Sequence, residues 1–202
     1  MPSETPLAAA APGELREAVR DRYGALARDP SFDADFPVGR AHALALGYPQ
    51  DLLDQLPASI VAVFAGPGAP VLSAEIQPRE RVLDLGCGAG MDAAIAAGLT
   101  GPGGTVVGLD SAVDMVRVGR QGLNPGMKHV ALTTGEATHL PFQDGAFDVV
   151  VANGLLNLEL GRDGVVSEIA RVLRPQGRLV GAEVILVDDV DRSAFTVSDW
   201  FR

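Results

Sequence analysis

Residues 81–90 read Arg-Val-Leu-Asp-Leu-Gly-Cys-Gly-Ala-Gly, an apolar segment that runs directly into a glycine-rich turn. The apolar part fits a buried parallel strand, and a helix is predicted to begin near Met91. Glycines between a strand and a helix let a ligand approach backbone amides that a Cβ atom would shield. Asp84 comes at the carboxyl end of the strand, the edge at which open α/β sheets bind ligands. The segment therefore predicts a ligand site on a parallel sheet.

The spacing of Gly86, Gly88 and Gly90 distinguishes between two kinds of nucleotide-type ligand. The dinucleotide fingerprint Gly-x-Gly-x-x-Gly would need a glycine at position 91, where this chain has Met91. An acidic residue two positions before the first glycine would also repel a pyrophosphate, whereas it suits a ligand with positive charge, such as an amino acid ammonium group. Both features disfavour an NAD(P) oxidoreductase. We retain this class as a third interpretation, after the two that are given at the end of this subsection.

Composition and charge restrict the class of protein. The 202 residues are 47% hydrophobic, which is enough for one domain with a real core. The net charge of -10 argues against nucleic acid or an anionic membrane as a partner. Cys87 is the single cysteine, so no internal disulfide or cysteine-rich metal site is expected. With neither a signal peptide nor an apolar run of about 18 residues in the sequence, we expect a cytoplasmic protein.

The N-terminal third of the chain has a helical pattern, and we expect residues 1–75 to form a helical cap and residues 76–202 to form the core. Apolar residues from Leu15 to Leu26 recur at three- and four-residue steps, which predicts an amphipathic helix that begins near Gly13. This helix either packs on the domain through those residues or covers the ligand crevice, with Tyr23 reaching the ligand. The pattern alone leaves both interpretations open.

The remaining residues alternate between strand and helix patterns. Five strands are predicted, at residues 81–85, 105–109, 129–133, 147–152 and 178–184. Helices are predicted between them, at residues 91–99, 111–119 and 163–173. This alternation indicates an α/β protein with a doubly wound, Rossmann-like parallel sheet.

Polar residues follow the ends of three other predicted strands. Asp110 lies 24 positions after the first glycine of the turn, close to the spacing at which this fold binds a ribose diol. Ser111 is predicted to cap the helix that follows. Glu136 and Ala137 supply a carboxylate and a small residue suited to an adenine amine and an adenine face, and Asn153 closes the fourth strand at the crevice.

These segments together resemble motifs I to IV of the class I S-adenosylmethionine (SAM) methyltransferases. The motifs are Asp84-x-Gly-x-Gly-x-Gly90, Asp110, Gly135-Glu-Ala137 and Phe147-Asp-Val-Val-Val-Ala-Asn153. The resemblance covers about residues 80–185, and Gln176 stands where a second glycine is usual. It also implies two further strands after the fifth, for which the chain leaves too few residues. The C-terminal strands are therefore expected to be missing, and we hypothesise a truncated domain.

The resemblance implies a SAM site and a role for each residue near it. The glycines of the turn would cradle the methionine portion of SAM, Asp84 would bond to it nearby, and Asn153 would line the methyl-transfer end. The cofactor-binding residues implied in this way are Asp84, Gly86, Cys87, Gly88, Gly90, Asp110, Ser111, Glu136, Ala137 and Asn153. The catalytic residues stay unknown, because no general base stands out and His139 is interpreted as structural. No metal site is expected, since the three histidines lack ligand spacing.

A closer resemblance is to the arsenite methyltransferase-related group. It rests on Arg22-Tyr-Gly-Ala-Leu26, Ala45-Leu-Gly-Tyr48, Phe64-Ala-Gly66 and Asn153-Gly-Leu-Leu-Asn-Leu158. As(III) is soft and needs several thiolates, whereas Gly154 replaces a cysteine that arsenic methylators have and Cys87 lies in the SAM loop. We therefore expect methyl transfer to a small molecule without the arsenic-binding cysteines. The alternative is a non-catalytic or degenerate SAM-binding protein that acts as a partner or fragment, and the oligomeric state is not predicted.

Overall fold

Five parallel strands form the centre of the protein, in the order β3-β2-β1-β4-β5. The computed structural model describes residues 11–123, 126–159, 161–185 and 195–196. The strands are β1 Arg81–Leu85, β2 Thr105–Asp110, β3 Val130–Thr134, β4 Phe147–Asn153 and β5 Leu173–Ala182. All four neighbouring pairs are parallel. The predicted doubly wound α/β sheet is confirmed.

The helices that the structure describes flank this sheet and precede it. They are α1 Pro12–Arg28, α2 Gly39–Ala45, α3 Gln50–Asp54, α4 Ala58–Ala62, α5 Pro70–Ser73, α6 Met91–Thr100, α7 Val113–Gly122 and α8 Arg162–Val172, with a short 3-10 helix at Leu156–Leu158. None of the helices in the described ranges is both long and apolar enough to cross a membrane.

Strand β1 is apolar because helices cover both faces of the sheet. Val82 packs into a core that α6 and α7 share, whereas Leu83 and Leu85 pack into a second core with Val165 and Ile169 of α8. Strands buried on both faces read as continuous apolar runs, which is how the sequence identified β1 and β4. The chain order reverses between β1 and β4, and a crevice at their carboxyl ends follows from that reversal.

The N-terminal helices belong to the same core as the sheet. Leu26 of α1 and Ile60 of α4 are fully buried and join the cluster that contains Val82. Ile60 and its neighbour Val61 are the buried residues of the short helix α4. The boundary between residues 75 and 76 stays a prediction, since apolar packing is continuous across it.

The structure differs from the prediction at the ends of several elements. Strand β5 begins at Leu173, five residues earlier than predicted, because α8 already ends at Val172. Gln176 has a φ of 68°, the left-handed conformation that favours glycine, at the position where a glycine was expected. The chain after Ile185 lies outside the described residues except for 195–196, so the predicted truncation stays a hypothesis.

Candidate functional site

A crevice that is open to solvent lies at the carboxyl edge of the sheet. The loops after β1, β2, β3 and β4 form its floor, and α1 and α4 contribute walls. Of the sequence-predicted cofactor residues, nine line this crevice: Asp84, Gly86, Cys87, Gly88, Asp110, Ser111, Glu136, Ala137 and Asn153. Gly90, the tenth of these residues, is not part of the lining and is the N-cap of α6.

The glycine turn takes a shape that other residues would resist. Gly86, Gly88 and Gly90 have φ values of 76°, 54° and 82°, all left-handed. The amides of Gly86 and Cys87 donate to the carbonyl of Leu109 on β2, at 2.8 and 3.1 Å. These bonds hold the turn open against β2 and leave its backbone facing the crevice.

Asp84 is the most unusual group in the crevice. Its side chain is only 2% exposed, and its Oδ2 atom has no hydrogen-bond partner. Burial and the negative charge of Asp92 raise its pKa well above the ordinary value, and a bond from the amide of Ala93 opposes that shift only in part. A buried carboxylate without a counter-ion is costly, so this wall of the crevice favours a ligand that carries positive charge or donates hydrogen bonds.

Asp110 ends β2 and holds two backbone amides. Its Oδ2 accepts a bond from Gly88 at 2.7 Å, and its Oδ1 accepts one from Ala112 at 2.8 Å. Burial raises the pKa of Asp110, and these backbone bonds act against that rise. A carboxylate has about four acceptor sites, so the fixed side chain keeps acceptor capacity for a ligand hydroxyl.

The predicted helix cap at Ser111 is wrong. Helix α7 begins at Val113, and its N-cap is Ala112, which makes no side-chain capping bond. The carboxylate of Asp110 accepts the amide of Ala112, the residue that stands at the N-cap in place of Ser111. Ser111 instead lines the crevice next to Asp110. Asp114, in the first turn of α7, pairs with Arg28 and Arg117.

Asn153 ends β4 in a network that pins a loop to the sheet. Its Nδ2 donates to the carbonyl of Gly68 at 2.8 Å and to Oδ2 of Asp92 at 3.0 Å, and its Oδ1 accepts from the Gly68 amide at 3.1 Å. A Cβ atom on Gly66 would lie 2.4 Å from this amide group. Asn153 therefore positions the segment before α5 as well as lining the crevice.

Two residues of this network were missed by the sequence reasoning. Asp92, in the first turn of α6, is 5% exposed, and burial raises its pKa to about 6. Tyr48 is buried, and its hydroxyl donates to Oδ1 of Asp92 at 2.6 Å. A usable signal was present, because Asp92 is the only charged residue in an otherwise apolar helix and a buried charge there needs partners.

Helix α1 crosses the mouth of the crevice. Arg16 binds Glu159, which follows the 3-10 helix, with Nε 2.9 Å from Oε2. One turn later Arg20 lies 3.1 Å from Glu136 after β3, and near the end of the helix Arg28 pairs with Asp114 of α7. Tyr23, between these pairs, lines the crevice, and burial and Asp110 raise its pKa. Helix α1 packs on the domain through the buried residues Leu15 and Leu26, and it also covers the crevice through Tyr23. The two interpretations of this helix are therefore compatible.

The loop after β4 is held from two sides. Glu183, just past β5, accepts the amides of Leu155, Leu156 and Asn157 at 2.8 to 3.1 Å. Glu159 is 7% exposed and also accepts the amide of Gly161. These bonds fix the wall that faces the glycine turn, where the side chain of Leu155 lies against Gly86.

The histidines lie outside the crevice lining. The Nε2 atom of His42 is 2.9 Å from the Gly66 carbonyl, and that of His129 is 3.2 Å from the Ala97 carbonyl. His139 contacts Thr138. Within the described ranges, no group of three His, Cys, Asp or Glu side chains is arranged to hold a metal ion.

A glycine turn and acidic strand ends on a 3-2-1-4-5 sheet are typical of the α/β proteins that bind nucleoside-type ligands at the carboxyl ends of their strands. Residues 76–200 match the methyltransferase domain family, which is more than half of the chain. The chain belongs to this family, as a class I SAM-dependent methyltransferase domain of the arsenite methyltransferase-related group.

Three relatives illustrate the similarity. The arsenite methyltransferase of Halobacterium salinarum is 34% identical over 198 residues, which cover 91% of this chain and 50% of that protein. The demethylmenaquinone methyltransferase of Beutenbergia cavernae is 44% identical over 108 residues, 53% of this chain and 42% of that protein. The structure of an arsenic(III) SAM methyltransferase from Chlamydomonas reinhardtii superposes with a TM-score of 0.56 at 29% identity, over 73% of this chain and 49% of that one. The chain spans about half the length of the curated relatives it matches.

Proposed function

We propose that this chain binds SAM in the crevice and transfers the methyl group to a small organic molecule. The observation that carries the proposal is the buried Oδ2 atom of Asp84, which has no hydrogen-bond partner, in a residue that lines the crevice together with a turn of left-handed glycines. SAM carries an ammonium and a sulfonium group, and positive charge of this kind would favour the ionised form of the Asp84 carboxylate. A phosphate-rich ligand such as NADH would bring more negative charge to the same wall.

The residues of the crevice fit the parts of SAM in order around the sheet edge. The turn formed by Gly86, Cys87, Gly88 and Gly90 would hold the methionine portion beside Asp84. Asp110 would accept the two ribose hydroxyls on its remaining lone pairs, with Ser111 next to it. Glu136 and Ala137 would bound the adenine, and Asn153 would keep the wall at the transfer end in place.

The chain contributes mainly position and exclusion of water to the reaction. Bound SAM supplies a methyl group on a positively charged sulfur, which a nucleophile can displace directly. The apolar side chains of Leu155 and Leu158 and the helix α1 would keep water from that point. Removal of water also strengthens the field of Asp84 and Asp92 around the positive sulfur.

The proposed acceptor is organic rather than arsenite. Arsenic needs several thiolates, and these 202 residues contain one cysteine, Cys87. Burial and the charge of Asp84 raise the pKa of the Cys87 thiol well above its ordinary value, which disfavours the thiolate. The cytoplasmic location and the absence of a nucleic acid or membrane partner stay predictions from the sequence.

Isothermal titration of SAM and, separately, of NADH into the 202-residue chain tests the cofactor. We expect SAM to bind, NADH not to bind, and Asp110→Ala to lose SAM binding while the exposed control Asp144→Ala keeps it. Binding of NADH instead, or no SAM binding by a folded chain, would overturn the proposal. Transfer of radiolabelled methyl from SAM to a panel of small phenols, amines and thiols then separates an enzyme from the non-catalytic alternative.

A further inference from the structure

The crevice has an unbalanced charge. Five acidic side chains line it, and Arg16 is the one basic side chain among the described residues that do so. Glu159 already binds Arg16 through three hydrogen bonds of 2.9 to 3.2 Å. Arg20, at the rim, is paired with Glu136. Neither cation therefore compensates the acidic groups deeper in the crevice.

Asp84, near the end of β1, and Asp92, at the start of α6, are both buried in the lining of the crevice. Asp92 receives the Tyr48 hydroxyl and the Asn153 amide, and Asp84 receives the amide of Ala93. The groups around this pair are neutral or negative: Tyr48 from the loop before α3, Cys87 from the glycine turn and Asp110 from β2. Two buried carboxylates of which one raises the pKa of the other do not both stay ionised in such surroundings, and their titration belongs to the pair.

We infer, on the basis of the proposed SAM site, that Asp92 and Asp84 together distinguish a ligand with a positively charged sulfur from one without it. The pair holds a proton when no cation lies beside it, and a sulfonium ligand displaces that proton. In this step the O–H bond of the carboxylic acid breaks, the proton goes to the buffer, and the resulting carboxylate faces the positive sulfur. S-adenosylhomocysteine, which lacks one methyl group and its positive charge, leaves more of the proton in place. The pair thus favours the methyl donor over the demethylated product.

The difference in proton release between the two ligands follows from the raised pKa values of Asp92 and Asp84. Burial raises the pKa of Asp92 to about 6, and it raises that of Asp84 as well. At pH 6, where Asp92 is about half protonated, SAM is therefore expected to release up to about half a proton more per molecule bound than S-adenosylhomocysteine does. The difference is expected to shrink as the pH rises to 8, because Asp92 then loses its proton before either ligand binds.

Calorimetry in two buffers of different ionisation enthalpy measures this release directly. Titrations at pH 6 and pH 8 would use SAM and S-adenosylhomocysteine with the 202-residue chain, with Asp92→Asn and with the exposed control Asp144→Asn. In Asp92→Asn the release with SAM is expected to fall by half or more, and the preference for SAM over S-adenosylhomocysteine to fall about tenfold. Asp144→Asn is expected to match the unmodified chain.

Each outcome bears on a distinct claim. Equal proton release with the two ligands, or an unchanged preference in an Asp92→Asn protein that still binds S-adenosylhomocysteine, would overturn the inference alone. Failure of the folded chain to bind SAM would overturn the proposed function and the inference with it. The wild-type comparison decides the matter even when Asp92→Asn does not fold.

Discussion

The hydroxyl of Tyr48 donates a 2.6 Å hydrogen bond to Oδ1 of Asp92, although 44 residues separate them. The bond joins the loop before α3 to the first turn of α6, directly behind the glycine turn. Asn153 binds the other oxygen of the same carboxylate. Asp92 is thus the point at which the N-terminal helices, α6 and β4 are held together.

Removal of the Tyr48 hydroxyl tests how much this contact stabilises the fold. Tyr48→Phe leaves a buried carboxylate oxygen without its donor, and we expect a loss of about 1–3 kcal/mol in the free energy of unfolding. Urea denaturation of Tyr48→Phe, Asp92→Asn and the double variant forms a double-mutant cycle. A coupling energy of at least about 0.5 kcal/mol is expected, and strictly additive effects would contradict it.

The pair formed by Arg16 and Glu159 tests the role of α1. Arg16→Ala leaves Glu159 largely buried without its cation, and we expect a loss of about 1–2 kcal/mol in stability, less than for a fully buried pair because Arg16 is partly exposed. Backbone hydrogen exchange should rise along α1. Arg40→Ala, which breaks the exposed pair with Asp54, is the matched control and is expected to change stability by less than about 1 kcal/mol. Equal effects of the two variants would refute the special role of Arg16.

Replacement of Gln176 by glycine is expected to stabilise the fold. Its left-handed backbone is strained for a residue with a Cβ atom, and its side chain is exposed. Gln176→Gly relieves that strain but gives the unfolded chain more freedom, so we expect a net gain of about 0.5–1 kcal/mol. Gln143→Gly, at an exposed loop position with ordinary φ, should be neutral or destabilising. Thermal unfolding that shows a loss for Gln176→Gly would contradict this account.

Stability should rise as the pH falls from 8 to 5.5. The pKa of Asp92 is raised to about 6 and that of Asp84 is also raised, so the folded state takes up protons before the unfolded state does. A folded-state pKa above the unfolded one adds stability at low pH that is lost as the pH rises through it, and Asp92 alone accounts for about 1 kcal/mol over this range. Urea unfolding at several pH values measures the slope. Asp92→Asn should flatten it, and a slope of opposite sign in the unmodified chain would refute the assignment.

The opposite trend is expected at lower pH. Arg171 holds the pKa of Glu168 down to about 2, so the stability from this pair is present above the ordinary value for a glutamate and is lost as the pH falls towards 2. The free energy of unfolding is therefore expected to be greatest at a pH between the acid range in which Glu168 is protonated and the range near pH 6 in which Asp92 loses its proton. Glu168→Gln should remove part of the acid-side loss, which the same urea series detects.

Much of the sheet and of the crevice was predictable from local patterns. The strands covered on both faces are continuous apolar runs, and the glycine turn is marked by its own spacing, so β1, β4 and the residues at the strand ends were found. Even Gln176 was identified as standing in place of a glycine, because the left-handed conformation that the turn requires favours one residue type. The start of β5 and the cap of α7 were missed, because α8 ends earlier than its pattern predicts and because the Asp110 carboxylate holds the Ala112 amide just before α7 begins.

The sequence by itself therefore determined the class of fold, the turn at Gly86 to Gly90 and the acidic residues at the strand ends, because each follows from backbone geometry or from burial within one segment. Only the tertiary structure decided that Tyr48 and Asn153 meet on Asp92 and that Arg16 reaches Glu159 across the crevice. Those contacts join residues between 44 and 143 positions apart. Side chains that distant are brought together by the packing of helices on a sheet, and no local spacing records which of them will meet.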